Sequence, residues 1–129
     1  MQMASEAMAE VPSVSPEQAR RRVREDPNTL LIDVRDLEMI RETGMAEGAI
    51  PISNGALPLR ADRELPEAYR DERLQDRSRP VLTICGAGPM SAMGAKTLKD
   101  MGFENVAYIE GGTQAWQEAG LPTGQPRDA

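Results

Sequence analysis

The sequence predicts an α/β domain built on a largely parallel sheet. Three short apolar runs rich in β-branched residues, at 29–34, 80–85 and 105–109, read as strands buried on both faces. Segments with helical spacing lie around and between them, so strand and helix alternate through the chain. At 129 residues the sequence is one domain's worth and long enough to bury a core.

Residues 1–12 are small and polar and show no pattern, which predicts a loose N-terminal tail ahead of a folded domain over 13–124, with a short C-terminal tail at 125–129. Ser15 is a good N-cap for a first helix, with Pro16 in the first helical position and Gln18 completing a capping box; Pro27 ends it. The run Arg20, Arg21, Arg22 and Arg24 reads as the solvated side of that helix. TLLIDV follows as the first clear strand. Asp36 then stands where it can cap a second helix, with Leu37 and Ile40 on one side and Gly44 as its stop. GAIPIS (48–53) reads as a brief strand weakened by Pro51, and the charged segment 62–73 as helical in part. PVLTIC is the second clear strand and NVAYI the third. Between them Ala92, Ala95, Leu98 and Met101 recur at helical spacing in SAMGAKTLKDMG, with Gly102 in the stop position. A last helix, TQAWQEAG, follows Gly111-Gly112 and ends at Gly120, with Trp116 in the core.

Composition excludes several function classes. Fifteen basic against twenty-one acidic residues give a net charge of −6, which argues against nucleic-acid or membrane-surface partners. A single cysteine forms no internal disulfide. With no histidine, a structural zinc site lacks ligands and a Cys–His catalytic pair is impossible. No metal or cofactor is expected. The N-terminus has no signal-peptide pattern and no apolar run is long enough to span a bilayer, so a cytoplasmic protein is the simplest expectation.

The chemistry therefore concentrates on Cys85, where a strand gives way to a glycine-rich turn and then a helix start. Two familiar glycine motifs fail there. A dinucleotide fingerprint has Gly86 and Gly88 but Ser91 in its third position, and a phosphate loop is broken by Ala95 between Gly94 and Lys96. A thiolate at this point has another use. Backbone N–H groups of a tight loop, with the unpaired donors of the next helix, can stabilise it as a nucleophile or sulfur carrier without a histidine. Gly86, Ala87 and Gly88 are small enough for the backbone to curl around sulfur and a small anion. The alternative is an inert buried thiol at a strand end.

From about Ser15 to Pro122 the chain resembles a single-domain rhodanese-like protein of the thiosulfate sulfurtransferase family. The resemblance is carried by LLIDVRD, GMAEGAIPIS, the loop CGAGPMS, AKTLKDMGF and, most characteristically, VAYIEGGTQAWQEAGLP. It implies a five-stranded, mainly parallel sheet flanked by helices on both faces. It also implies that Cys85 accepts a sulfane sulfur as a persulfide and passes it to a thiophilic acceptor, a thiol or cyanide, with Gly86, Ala87, Gly88, Met90 and Ser91 forming the substrate-binding loop. A small sulfur donor is the implied partner, with a protein persulfide as a further candidate.

The chain departs from the family pattern in its loop. Gly88 and Ser91 match, but Met90 holds the sixth place, where arginine is common, and Pro89 brings no N–H to the fifth. Met90 should face the pocket. A guanidinium there would clamp the sulfonate end of thiosulfate, and a thioether does not, so thiosulfate is expected to be a poor donor. Gly44-Met45 also stands where the family often has Gly-His. Asp33 and Arg35 are expected to tie the first strand to its neighbours. Beside the enzyme reading stands a degenerate rhodanese-like domain serving as a protein-binding or regulatory module. A phosphatase reading is more distant, since no arginine follows Ser91 in the loop.

Overall fold

The computed structural model describes residues 2–87 and 89–126. In chain order its elements are α1 (Gln2–Glu10), β1 (Ser13–Val14), α2 (Pro16–Glu25), β2 (Leu30–Asp33), α3 (Leu37–Thr43), β3 (Met45–Ala46) and β4 (Ile50–Pro51). There follow α4 (Leu57–Ala61), a 3₁₀ turn (Glu72–Leu74), β5 (Val81–Ile84), α5 (Pro89–Asp100), β6 (Val106–Ile109), α6 (Gly112–Glu118) and β7 (Thr123–Gly124). Five strands form one sheet in the order β1-β6-β5-β2-β4, with every neighbouring pair parallel. β3 and β7 make a small antiparallel pair apart from it.

The central strands are continuous apolar runs because both faces are covered. Their side chains alternate between two cores. Leu30, Ile32, Val81, Val106 and Tyr108 face a core closed by α1, α4 and α5. Leu31, Leu82, Ile84, Ala107 and Ile109 face a second one, closed by Ala19 of α2, Ile40 of α3 and Trp116 of α6. Trp116 is fully buried, and its Nε1–H donates to Pro122 O at 2.8 Å.

Local chemistry explains the start of α2 and the end of α3. Ser15 Oγ accepts from Gln18 N at 3.1 Å while Gln18 Oε1 accepts from Ser15 N at 2.9 Å, so the capping box is complete. Gly44 ends α3 at φ +79°. Asp36 occupies the N-cap of α3 without a side-chain cap bond, and of the two apolar residues expected to share a side only Ile40 is buried.

One sequence expectation is corrected and another is met only in small part. Residues 2–10 are a helix, not a loose tail: Ala4, Ala7 and Val11 are buried at i, i+3, i+7 spacing, and α1 packs along α5. Lys99 Nζ ties the end of that helix down by donating to Glu10 O at 2.8 Å. Of the segment 62–73, expected to be helical in part, only the start of the 3₁₀ turn Glu72–Leu74 is helical; the rest is turn, because Asp62 Oδ1 takes the N–H groups of Glu64 and Leu65 and draws the chain out of α4. At the other end, part of the expected C-terminal tail, residues 127–129, lies outside the described residues. No helix among the described residues is long and apolar enough to cross a membrane.

The strand order has one consequence for function. From β2 the chain steps outward to β4, then returns to the opposite side of β2 as β5. The reversal opens a crevice at the carboxyl ends of β2 and β5, the place where open parallel sheets bind ligands. Arg35 follows the first of these strands and Cys85 the second.

Candidate active site

At the end of β2 the chain places Asp33 and Arg35 two residues apart, both buried, and folds them onto each other. Arg35 Nε donates to Asp33 Oδ1 at 3.0 Å and Arg35 NH2 to Asp33 Oδ2 at 2.8 Å, a bidentate pair. Arg35 NH1 donates to Thr43 Oγ1 at 2.8 Å, and NH2 also to Gly44 O at 3.0 Å. The expectation that these residues tie the strand to its surroundings is met within one knot: the guanidinium holds the end of α3 against the end of β2.

Cys85 follows β5 directly, forms no disulfide and is 2% exposed. The loop that begins there is fixed from the α6 side. Thr113 N–H donates to Cys85 O at 2.7 Å and Gln114 N–H to Gly86 O at 3.0 Å. The otherwise unpaired amides at the start of α6 thus take up both loop carbonyls. In a trans peptide the next N–H points opposite to the carbonyl, so the Gly86 and Ala87 amides are turned away from α6.

Gly112 makes that contact possible. Its φ is +60°, and a Cβ added there would lie 2.4 Å from Cys85 O and 2.8 Å from Gly86 O. Gly112→Ala should therefore lower stability by about 1–3 kcal/mol, through the left-handed backbone and the collision with main chain. Urea unfolding checks the size of this loss. A variant as stable as the parent would mean that α6 docks less tightly on the loop than these distances require.

In front of the thiol lies a cavity of about 610 Å³. Cys85, Gly86, Ala87, Pro89 and Met90 form its loop wall; Arg35, Met39 and Thr43 form the wall from the β2–α3 side; Thr113, Gln114 and Gln117 close it from α6. Four residues expected in the site, Cys85, Gly86, Ala87 and Met90, are thus brought together. Ser91 is not in the wall: it is fully buried in the first turn of α5, and its carbonyl accepts from Thr83 Oγ1 at 2.7 Å. The reason is that α5 starts at Pro89, earlier than expected, so Ser91 is already wound toward the sheet. Gly88 lies outside the described residues.

Met39, Thr113, Gln114 and Gln117 were missed by sequence reasoning. The only signal for the α6 residues was their position just after Gly111-Gly112, and Met39 had none beyond a place on the less apolar side of α3. A second cavity, of about 640 Å³ between Met45–Pro51, Arg73 and Gly124, has no thiol or hydroxyl side chain in its wall among the described residues. No group of three or more His, Cys, Asp or Glu among the described residues is placed to hold a metal.

Comparison with known proteins adds an independent line. The family model of the rhodanese-like domain matches residues 15–119. A thiosulfate sulfurtransferase, GlpE, from Actinobacillus succinogenes is 32% identical over 109 residues, covering 84% of this chain and 86% of that protein. Among solved structures, the polysulfide-sulfur transferase homodimer of Wolinella succinogenes superposes with a TM-score of 0.77 at 30% identity, covering 96% of this chain and 85% of the other. A protein of unknown function from Rhodopseudomonas palustris, described as a possible tyrosine phosphatase, superposes with a TM-score of 0.85 at 30% identity, covering 95% and 91%.

Proposed function

The chain belongs to the rhodanese-like domain family, and from that membership we propose that it is a sulfurtransferase carrying sulfane sulfur as a persulfide on Cys85. The observation that carries the reading is the position of this thiol: it ends β5 at the crevice between β2 and β5, in the wall of a cavity large enough for a small donor.

In the first half-reaction the Cys85 thiolate attacks the outer sulfur of a donor. A sulfur–sulfur bond forms on Cys85, the donor's own sulfur–sulfur bond breaks, and its electron pair leaves with the rest of the donor. In the second, a thiol or cyanide attacks the outer sulfur of the persulfide and the Cys85 thiolate departs. The covalent intermediate divides one transfer into two displacements at sulfur. The loop carbonyls held by α6 support this scheme, because they keep the Gly86 and Ala87 amides free of that helix.

Thiosulfate is a poor donor in this reading. Met90 brings a thioether where a cation would meet the sulfonate. Arg35 does not replace it, since each of its three nitrogens already donates to Asp33, Thr43 or Gly44. An external protein persulfide or a low-molecular-weight persulfide is the better match.

Intact-mass measurement after exposure to a persulfide donor tests the proposal. The parent protein should gain the mass of one sulfur atom and lose it on cyanide treatment, while Cys85→Ser gains none. If no cyanide-labile addition appears on the parent, the carrier reading fails and the domain is better described as a binding module.

A further inference from the structure

We propose that the Cys85 cavity selects an uncharged organic hydropersulfide, R–S–SH with an apolar R group, as its sulfur donor; this rests on the persulfide reading above and names its substrate class.

The first ground is electrostatic. Among the described residues, Arg35 is the only charged side chain in the cavity wall, and it is neutralised by its bidentate pairing with Asp33. An anionic donor would give up its hydration there and meet no free cationic side chain, only the partial positive charge at the start of α5 and the loop amides. The polar groups that remain are neutral. Gln114 and Gln117 bring amides, and Gln117 Nε2 already donates to Thr43 O at 3.1 Å. Thr113, 2% exposed in the same wall, has an Oγ1 with no hydrogen-bond partner among the described residues. A neutral hydroxyl of this kind suits a neutral donor.

The second ground is the apolar wall. Met39 and Met90 approach from α3 and α5 and remain 49% and 42% exposed, with Pro89 beside them. Two flexible thioethers at the mouth of a cavity give an organic group a surface that adapts to its shape, and covering them releases water. The volume, about 610 Å³, suits a donor larger than thiosulfate.

The step balances without an added oxidant or reductant. The Cys85 thiolate attacks the terminal sulfur of R–S–SH, forming Cys85 Sγ–SH. The donor's S–S bond breaks, and R–S⁻ leaves with the electron pair and takes a proton from water. Overall, R–S–SH and the Cys85 thiol become R–SH and the Cys85 persulfide.

The test is single-turnover loading of Cys85, followed by intact mass, with benzyl hydropersulfide released in solution from a protected precursor and with the negatively charged hydropersulfide of glutathione. Each rate is divided by that of a free cysteine peptide with the same donor, which removes intrinsic reactivity. The benzyl donor should be favoured by about tenfold, the return for covering a modest apolar area. In the double variant Met39→Gln, Met90→Gln the preference should shrink to about threefold or less. Both positions are half-exposed, so these changes do not empty the core.

Equal loading from the two donors, or a preference for the charged one, overturns the inference and leaves the persulfide reading standing. A benzyl preference that survives in the double variant overturns the assignment to this wall. Failure to load from either donor removes the persulfide reading itself, and this inference with it.

Discussion

Arg35→Met is expected to lower the free energy of unfolding by about 3–5 kcal/mol, because it leaves the Asp33 carboxylate buried without its cation. Asp33 is fully buried and Arg35 is 3% exposed, so water screens little of the loss. The Arg35 backbone N–H would still reach Asp33 Oδ1, at 3.1 Å in the parent, but a single amide does not replace a bidentate guanidinium. Set against the roughly 5–15 kcal/mol that holds an ordinary domain together, this is a large share. The measurement is a urea midpoint, read with the slope of the transition to check that the unfolding process is unchanged. The double variant Asp33→Asn, Arg35→Met should recover most of the loss, since it removes the stranded charge and keeps the shape of the side chain at position 33. If Arg35→Met alone is as stable as the parent, the pair is not the knot that the hydrogen bonds describe.

Met90→Arg is expected to raise kcat/KM for thiosulfate by roughly 10- to 150-fold, the return for one charge-assisted contact of about 1.5–3 kcal/mol in the transition state. Met90 is half-exposed in the cavity wall, so the longer side chain has room. Two features work against the gain. The N-terminus of α5 disfavours a cation by up to about 1 kcal/mol, and Pro89 fixes the backbone from which the new side chain must reach back. The assay uses cyanide as acceptor and compares thiosulfate with an uncharged persulfide donor. A gain confined to thiosulfate identifies Met90 as the determinant of donor choice. A folded variant with no gain means that the missing cation is not what limits thiosulfate, and a degenerate loop becomes the better account.

The parts of the fold that were legible in the sequence are those whose signal is local. The runs LLID, VLTI and VAYI are apolar on both sides because each is covered on both faces, and a reader needs only four consecutive residues to see it. The capping box of α2 lies within four residues as well. α1 was not legible because its buried stripe is Ala4, Ala7 and Val11, side chains so small that only the approach of α5, distant in sequence, makes them core. The site divides in the same way. Cys85 and its loop neighbours stand together in the chain and could be read directly. Met39 and Thr113 reach the cavity because the strand order brings β2, β5 and the start of α6 to one crevice, and that order is a global property. Ser91 lies outside the cavity wall for a local reason. A helix that begins at Pro89 turns by about 100° per residue, so an earlier start moves each side chain to a different face.

The grip of α6 on the loop also bears on how the protein is made. Cys85 O and Gly86 O are held by amides of Thr113 and Gln114, and α6 is fastened in turn through Trp116 to Pro122. Residues of a later helix therefore hold the turn at Cys85 in shape. During synthesis the chain emerges N-terminus first, so α1 to β5 can begin to collapse while Cys85 still lacks these partners. The turn at Cys85 gains these two hydrogen bonds only when α6 docks. Synthesis and docking of α6 thus precede the settled shape of the Cys85 turn.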